Sequence, residues 1–209
     1  MTVPLKLMCI LAHPDDESLG IGGTLAKYSA EGVETHVVTA TRGERGRFGD
    51  APHPGLDMVG QTREQELCDA ARALGVHAVH ILDYIDGDLD KAEPREVVSR
   101  IVSLLRRVRP HVVLTFGPEG GYGHPDHIAI CQFATAAVMR SADSSYQLDR
   151  TNPHAVSKLY YMEWDEALVQ AYTAAFRTIK IMVDGQERGS THWPDWAITT
   201  VIDTEAHWE

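Results

Sequence analysis

His13, Asp15 and Asp16 fall within four positions, and His124, Asp126 and His127 fall within another four, each set grouped about a proline, Pro14 or Pro125. Imidazoles and carboxylates at this density bind a metal ion or move protons. His13 and Asp16 are three apart, which lets an imidazole and a carboxylate reach one point where a strand turns into a helix. His127, delivered by the second corner, completes a His, Asp, His set with a position left for water, the pattern of catalytic rather than structural sites. Zn2+ suits these donors; Fe2+, Co2+ or Mn2+ would also accept them. Asp15 sits beside a ligand but points elsewhere, so it is read as the base that takes a proton from a water acidified by the ion. His124, held extended by the proline after it, is read as the group that stabilises an oxyanion and passes a proton to a leaving amine, with Asp126 orienting it. Tyr122, inside Gly120-Gly121-Tyr122-Gly123, offers a phenolic donor to the same oxyanion. A lone His-Pro-Asp is also an ordinary helix start, and Asp126 would serve as a plain N-cap. Two such corners shift the balance to a site, with Glu17 as a supporting residue.

Strands must deliver both corners. An apolar run over residues 5–12 predicts the first, followed by a helix over 18–30 whose glycines at 20, 22 and 23 suit close approach to the sheet or the ligand. A strand over 34–39 precedes a long loop, 41–60, read as a wall of the site. Helical spacing follows at 61–74, then a short strand at 79–82 and an acidic loop at 83–89. Residues 94–108 carry a clear 3.6 period, with Arg95, Arg100, Arg106, Arg107 and Arg109 read as a solvated face. The strand over 112–116 delivers the second corner, and a helix runs from Pro125 to about Met139. Beyond a loop at 141–153 we expect a strand at 158–163, a helix at 166–176, and strands at 178–183 and 198–202 flanking a loop at 184–196. Alternating strands and helices predict an α/β fold, a doubly wound and mostly parallel sheet with helices on both faces. One domain spans 1–209. Asp203 and Thr204 are good N-cap residues with little helix after them, so a further C-terminal segment is expected.

The formal net charge of −11 over 209 residues disfavours nucleic acid or an anionic membrane as partner, apart from a local basic patch at Arg42, Arg45, Arg47 and Arg63. Cys9, Cys68 and Cys131 are scattered in apolar contexts, which reads as buried thiols in a reducing compartment. No run approaches the roughly 18 to 20 apolar residues of a membrane span, and no secretion signal is read at the N-terminus, so a cytoplasmic location is expected.

Ala12 to Glu17 (AHPDDE) and His124 to His127 (HPDH) resemble the two signature motifs of the PIG-L/LmbE-like family of metal-dependent N-deacetylases, and the match runs from about Leu5 to Met139. Members of that family deacetylate N-acetylglucosaminyl groups in phosphatidylinositol anchors, in mycothiol and bacillithiol biosynthesis, and in chitin-derived or antibiotic sugars. The resemblance implies a Rossmann-like fold, zinc held by His13, Asp16 and His127, Asp15 as base, His124 as acid or oxyanion donor supported by Asp126, and a mobile Tyr122 near the scissile carbonyl. It also implies substrate contacts by Glu44 in TRGERG, by Arg63 in TREQEL and by Asp86 in DYIDGD, whose Gly87, Asp88 and Leu89 differ from the family's commonest wording. The family usually adds a helix with a His-x-Ser-Gln pattern after a strand like that at 198–202; Glu209 comes first here.

The implied partner is a small glycoconjugate, and self-assembly into a homo-oligomer is left open. Arg63 has a local alternative in an ion pair with Glu66. His36, His53, His77, His80, His111, His154, His192 and His207 show no ligand-like spacing and are read as structural or surface groups. Trp193 and Trp196 either line a sugar site or simply pack. Two rival functions fit the same residues: a metal-dependent phosphoesterase or other amidase, with His124 on a second ion, and a non-catalytic sugar- or metal-binding module.

Overall fold

The computed structural model describes residues 4–49, 52, 54–148, 151–176, 180–190 and 192–207. His53 and the first two residues of the strand expected at 178–183 lie outside them.

Five strands, β1 (Lys6–Leu11), β2 (Glu34–Thr41), β3 (Ala78–Tyr84), β4 (Val112–Phe116) and β5 (Lys158–Met162), form one sheet in the order β3-β2-β1-β4-β5. Every pairing is parallel. Leu7, Met8, Cys9, Ile10 and Leu11 of β1 are all buried, the unbroken apolar run of a strand covered on both faces. From β1 the chain winds outward through α1 (Asp16–Ala30) to β2 and α2 (Leu56–Ala73) to β3. It then returns through α3 (Pro94–Val108) to β4 on the other side of β1, and continues through the turn α4 (Gly120–Gly123) and α5 (Pro125–Ala142) to β5. Winding in opposite directions with one crossover hand puts α1 and α2 on one face and α3 and α5 on the other. The direction reverses between β1 and β4, the place where open α/β sheets bind ligands. Both sequence corners stand at the carboxyl ends of those two strands.

Two of the three glycines of α1, Gly20 and Gly23, serve close approach, while Gly22 has room for an ordinary contact. A Cβ on Gly20 would meet Met162 Sδ at 2.6 Å, one on Gly22 would meet Leu74 Cδ2 at 3.7 Å, and one on Gly23 would meet Thr204 Oγ1 at 2.6 Å. The C-terminal turn Glu205–His207 thus packs on α1, with Asp203 Oδ1 accepting from Glu205 N as its cap.

Three expectations are corrected. Helix α2 begins at Leu56, so the loop expected over 41–60 is shorter. Residues 198–202 are not a strand: among the described residues nothing pairs with them, Val201 is 82% exposed, and β-propensity without a partner backbone does not make a strand. The stretch expected to be a loop over 184–196 opens instead with a hairpin, in which β6 (Lys180–Val183) pairs antiparallel with β7 (Gln186–Gly189) through Asp184 and Gly185, both at positive φ (51° and 76°), the two-residue turn that Asp-Gly signals.

Arg106 is not on a solvated face. It is buried, and its guanidinium donates to the carbonyls of Ser141 (3.1 Å), Tyr146 (2.9 Å), Arg140 (3.3 Å) and Asp143 (2.8 Å), closing the C-terminus of α5. Arg106→Met keeps the stem but strands those acceptors. Denaturant unfolding is expected to show a loss of about 2 to 4 kcal/mol.

Candidate active site

At the first corner Asp16 folds back over its own chain: Oδ2 accepts from Ala12 N (3.1 Å) and His13 N (2.8 Å), which leaves Oδ1 free to face inward. Asp15 sits at φ 104°, a left-handed conformation that costs a non-glycine residue energy and persists where the surroundings enforce it. Its effect is to send two adjacent carboxylates in different directions, Asp16 inward and Asp15 out to a half-exposed position. Glu17, buried, accepts from Asp15 N (3.0 Å) and Ser18 Oγ (2.6 Å) and so braces this turn.

Arg63 does not need Glu66. Its Nη2 donates to Pro14 O and Asp15 Oδ2, both at 2.5 Å. The guanidinium lies over Gly43 and Gly46, where a Cβ would come within 2.7 and 2.3 Å of Nη1, so those two glycines are what lets α2 reach the first corner.

At the second corner His127 stacks on Phe116 with ring centroids 3.9 Å apart, and its Nδ1 donates to Gly120 O (3.2 Å), which leaves Nε2 as the free nitrogen. His124 caps α5, its Nδ1 accepting from Asp126 N (3.1 Å). The Asp126 side chain, expected to orient His124, turns instead to His13. Its Oδ2 accepts from His13 Nε2 (3.1 Å) and Gly87 N (2.7 Å), and its Oδ1 from Leu89 N (3.1 Å). The loop after β3 brings Asp86 to the same nitrogen, Oδ1 lying 3.1 Å from His13 Nε2 while Oδ2 accepts from Arg45 N (3.1 Å). Buried Glu44 accepts from Asp86 N (3.1 Å).

With Nε2 committed to two carboxylates, His13 presents Nδ1 to the centre. There it lies 3.2 Å from His127 Nε2 and 3.8 Å from Asp16 Oδ2, and His127 Nε2 lies 3.5 Å from Asp16 Oδ1. Three buried donor atoms, all within 4.8 Å of one another and two of them backed by fixed hydrogen bonds, fit a divalent cation. His13, Asp86 and His124 meet the same spacing, but that side of His13 is taken by Asp126 and Asp86.

The charges say the same. Burial alone would lower His13, but the hydrogen bonds to Asp126 and Asp86 outweigh it and hold the imidazolium up to about 10. Burial pushes Asp16 up to about 7, and pushes His127 well below its ordinary value with the His13 charge adding to it. An incoming cation therefore displaces protons from His13 and Asp16. Affinity is expected to rise with pH between about 5 and 9, and calorimetry in buffers of different ionisation heat should find about one proton or more released per ion at pH 7.

A cavity of about 150 Å³ opens on this centre, with Asp15, Asp16, Tyr122 and His127 at one end and Leu19, Phe116, Met162, Trp164 and Tyr172 beyond. A larger groove of about 460 Å³, beside β3 and α3, touches neither corner. The Tyr122 ring meets His127 and His124 edge-on, with centroids at 5.2 and 5.8 Å. Burial, then the Asp16 charge, pushes its phenol upward, which keeps it a hydrogen-bond donor. Trp196 is 87% exposed.

The family model described as GlcNAc-PI de-N-acetylase (PIG-L) matches residues 8–138, which contain both corners and every residue of this centre. The chain belongs to the PIG-L family. It is 37% identical over 226 residues to a 1D-myo-inositol 2-acetamido-2-deoxy-alpha-D-glucopyranoside deacetylase of Rhodococcus jostii, covering 96% of this chain and 76% of that one. The solved N,N'-diacetylchitobiose deacetylase of Pyrococcus horikoshii superposes with a TM-score of 0.69 at 32% identity, over 75% of this chain and 60% of that one. A 4-carboxy-2-hydroxymuconate hydratase from Pseudomonas putida superposes with a TM-score of 0.66 at 25% identity, over 78% and 68%.

In this PIG-L member two residues went unnoticed in the sequence, Glu119 and Glu163, which meet behind the glycine turn. Nothing in their local spacing signals it, because adjacency of β4 and β5 brings them together. The position of Asp126 carries its own prediction. Asp126→Asn leaves an amide that cannot accept from His13 and two backbone N–H groups equally well. Metal affinity is expected to fall about 10- to 100-fold, read by competition with a chromophoric chelator.

Proposed function

We propose that this chain is a zinc-dependent hydrolase that removes the N-acetyl group from an N-acetylglucosamine-type sugar or glycoconjugate, working as one domain in the cytoplasm, where its three free cysteines stay reduced. The observation that carries the reading is the convergence of His13 Nδ1, Asp16 and His127 Nε2 at the switch point of the sheet, with Asp15 at the mouth of the same cavity. Two imidazole nitrogens and a carboxylate are a zinc donor set, and zinc so held would polarise the amide carbonyl and acidify a water.

This chain's residues do the rest. Asp15, held by Arg63, accepts the proton of the attacking water. Tyr122 donates from its phenol to the carbonyl oxygen as negative charge builds there. His124 has Nδ1 occupied by the backbone N–H of Asp126, so the neutral ring carries its proton on Nε2 and offers it as a hydrogen bond to the developing oxyanion, while the proton that Asp15 took from the water passes to the departing nitrogen. Arg63, bonded to Asp15 at the cavity mouth, is placed to meet a sugar hydroxyl, whereas Glu44 and Asp86, at the ends of β2 and β3, are turned to one another and to His13. The curated relative's name specifies an acetamido sugar joined to inositol, and the chitobiose enzyme's an acetylated disaccharide. An N-acetylglucosaminyl inositol is therefore the first substrate to try, with N,N'-diacetylchitobiose beside it. Acetate release from either, abolished by chelation and restored by Zn2+, is the expected result. Hydration of an unsaturated carboxylic acid with no acetate released would instead place the chain with the hydratase.

A further inference from the structure

Glu119 ends the loop after β4 and Glu163 follows the last residue of β5, so parallel pairing of those strands sets the two carboxyl groups side by side. Both crowd over Gly117. A Cβ there would lie 1.7 Å from Glu163 Oε1 and 2.6 Å from each oxygen of Glu119, so a larger residue would push the two carboxylates out of this arrangement. Glu119 reaches three parts of the fold: it accepts from Gly121 N (3.2 Å) in the glycine turn, accepts from Trp193 Nε1 (3.2 Å), and is hydrogen-bonded to Glu163. Glu163 Oε1 is buried without a partner. Two carboxylates cannot hydrogen-bond without a proton between them, and two buried like charges at contact cannot both persist.

We propose that Glu163 and Glu119 form an acid–carboxylate pair sharing one proton, and that this pair positions Tyr122. Glu163 in its acid form donates to Glu119, whose remaining acceptor capacity holds Gly121 N–H and so fixes the turn carrying the phenol. The turn is also held by His127 Nδ1, which donates to Gly120 O, and by Gly120 N, which donates to Gly117 O (3.0 Å). Gly121 stands at φ 70° and ψ −73°, outside helical geometry, and Arg188 donates to Gly123 O (3.2 Å) at its far end. Burial first, then the Glu119 charge, raises the Glu163 carboxyl to about 8. The other titratable groups facing this region are Tyr122 on the turn, His124 at its end, Cys131 and His127 on α5, Asp15 and Asp16 on the β1 corner, and Tyr172 on α6 (Glu166–Phe176). Arg188 is the one cation contacting the turn among the described hydrogen bonds. Loss of the shared proton would leave two adjoining anions, and the contacts of Glu119 to Gly121 and Trp193 would give way.

The assignment of Tyr122 rests on the deacetylase reading, so the test separates the two. In the metal-loaded full chain, Trp193 emission, isolated by difference from Trp193→Phe, is expected to titrate with a midpoint near pH 8 and to lose that transition in Glu163→Gln, whose amide donates to Glu119 at every pH. This readout needs no substrate. With an N-acetylglucosaminyl substrate, Glu163→Ala is expected to lower kcat about tenfold with KM within about twofold, and Glu163→Gln to restore most of it and to flatten the decline above pH 8. A flat Trp193 signal in the parent, or the same transition in Glu163→Gln, overturns the pair. A titrating Trp193 with Glu163→Ala and Glu163→Gln equally active overturns its role in positioning Tyr122. If Glu163→Ala fails to fold, Glu163→Gln and Glu119→Gln decide alone, since Glu119→Gln removes the neighbouring charge and should move the midpoint down or abolish it. The Trp193 transition with no acetate released from any substrate leaves the pair standing and removes the deacetylase reading.

Discussion

Asp16→Ala is expected to give a protein without stoichiometric metal and with kcat/KM for acetate release reduced by about 100-fold or more. A zinc site worth about 10 to 16 kcal/mol spread over four ligands assigns about 2.5 to 4 kcal/mol to each, roughly 70- to 900-fold for one ligand removed. Asp16 also has a structural duty that Ala would abandon. Its Oδ2 accepts from Ala12 N and His13 N, and burying both donors unpaired costs about 1 to 3 kcal/mol each. Asp16→Asn separates the two roles, because its amide oxygen keeps the backbone contacts while an NH2 replaces Oδ1, the oxygen facing His127. The expected pattern is metal loss in both variants, by elemental analysis, with lowered unfolding free energy only in Asp16→Ala. Metal retained at parent stoichiometry in Asp16→Asn would remove Asp16 from the ligand set.

The parts of this molecule legible in the sequence are those fixed by short-range rules. An apolar run covered on both faces has to be an inner parallel strand, Pro94 and Pro125 mark helix starts by their fixed φ, and His, Asp and His at two strand ends announce a cation site by chemical type. What the sequence hid depends on partners 34 to 113 residues away. Asp126 looks like a helper of His124 because the two are neighbours in the chain, yet its carboxylate is claimed by Gly87 N, Leu89 N and His13 Nε2, which arrive from other corners. Arg63 has Glu66 one turn along its own helix, but the groove left by Gly43 and Gly46 sends it to Asp15. Arg106 falls off the apolar stripe of α3 and is still buried, because the open carbonyls at the end of α5 give its charge somewhere to go. Residues 198–202 show the opposite failure, a strand-like composition with no neighbouring backbone to complete it.

Asp15→Asn should be as damaging to turnover as loss of a ligand while leaving the metal in place. Asparagine tolerates the positive φ of this position, and its amide oxygen can keep the contact from Arg63, so the corner should retain its shape. What it lacks is the ability to accept a proton from water. A general base contributes about 10²- to 10⁴-fold, and kcat is expected to fall by that range with KM within about threefold and metal stoichiometry unchanged. Asp15→Gly relieves the backbone and opens the mouth of the cavity, so added formate or acetate, carboxylates small enough to enter, should restore part of the lost rate in that variant and none in Asp15→Asn, whose amide still fills the space. Rescue restricted to Asp15→Gly would locate proton acceptance at this side chain rather than at Asp86 or Glu44, which face His13 and one another from the other side. Acetate release by Asp15→Asn within threefold of the parent would mean that one of those carboxylates, and not Asp15, handles the water.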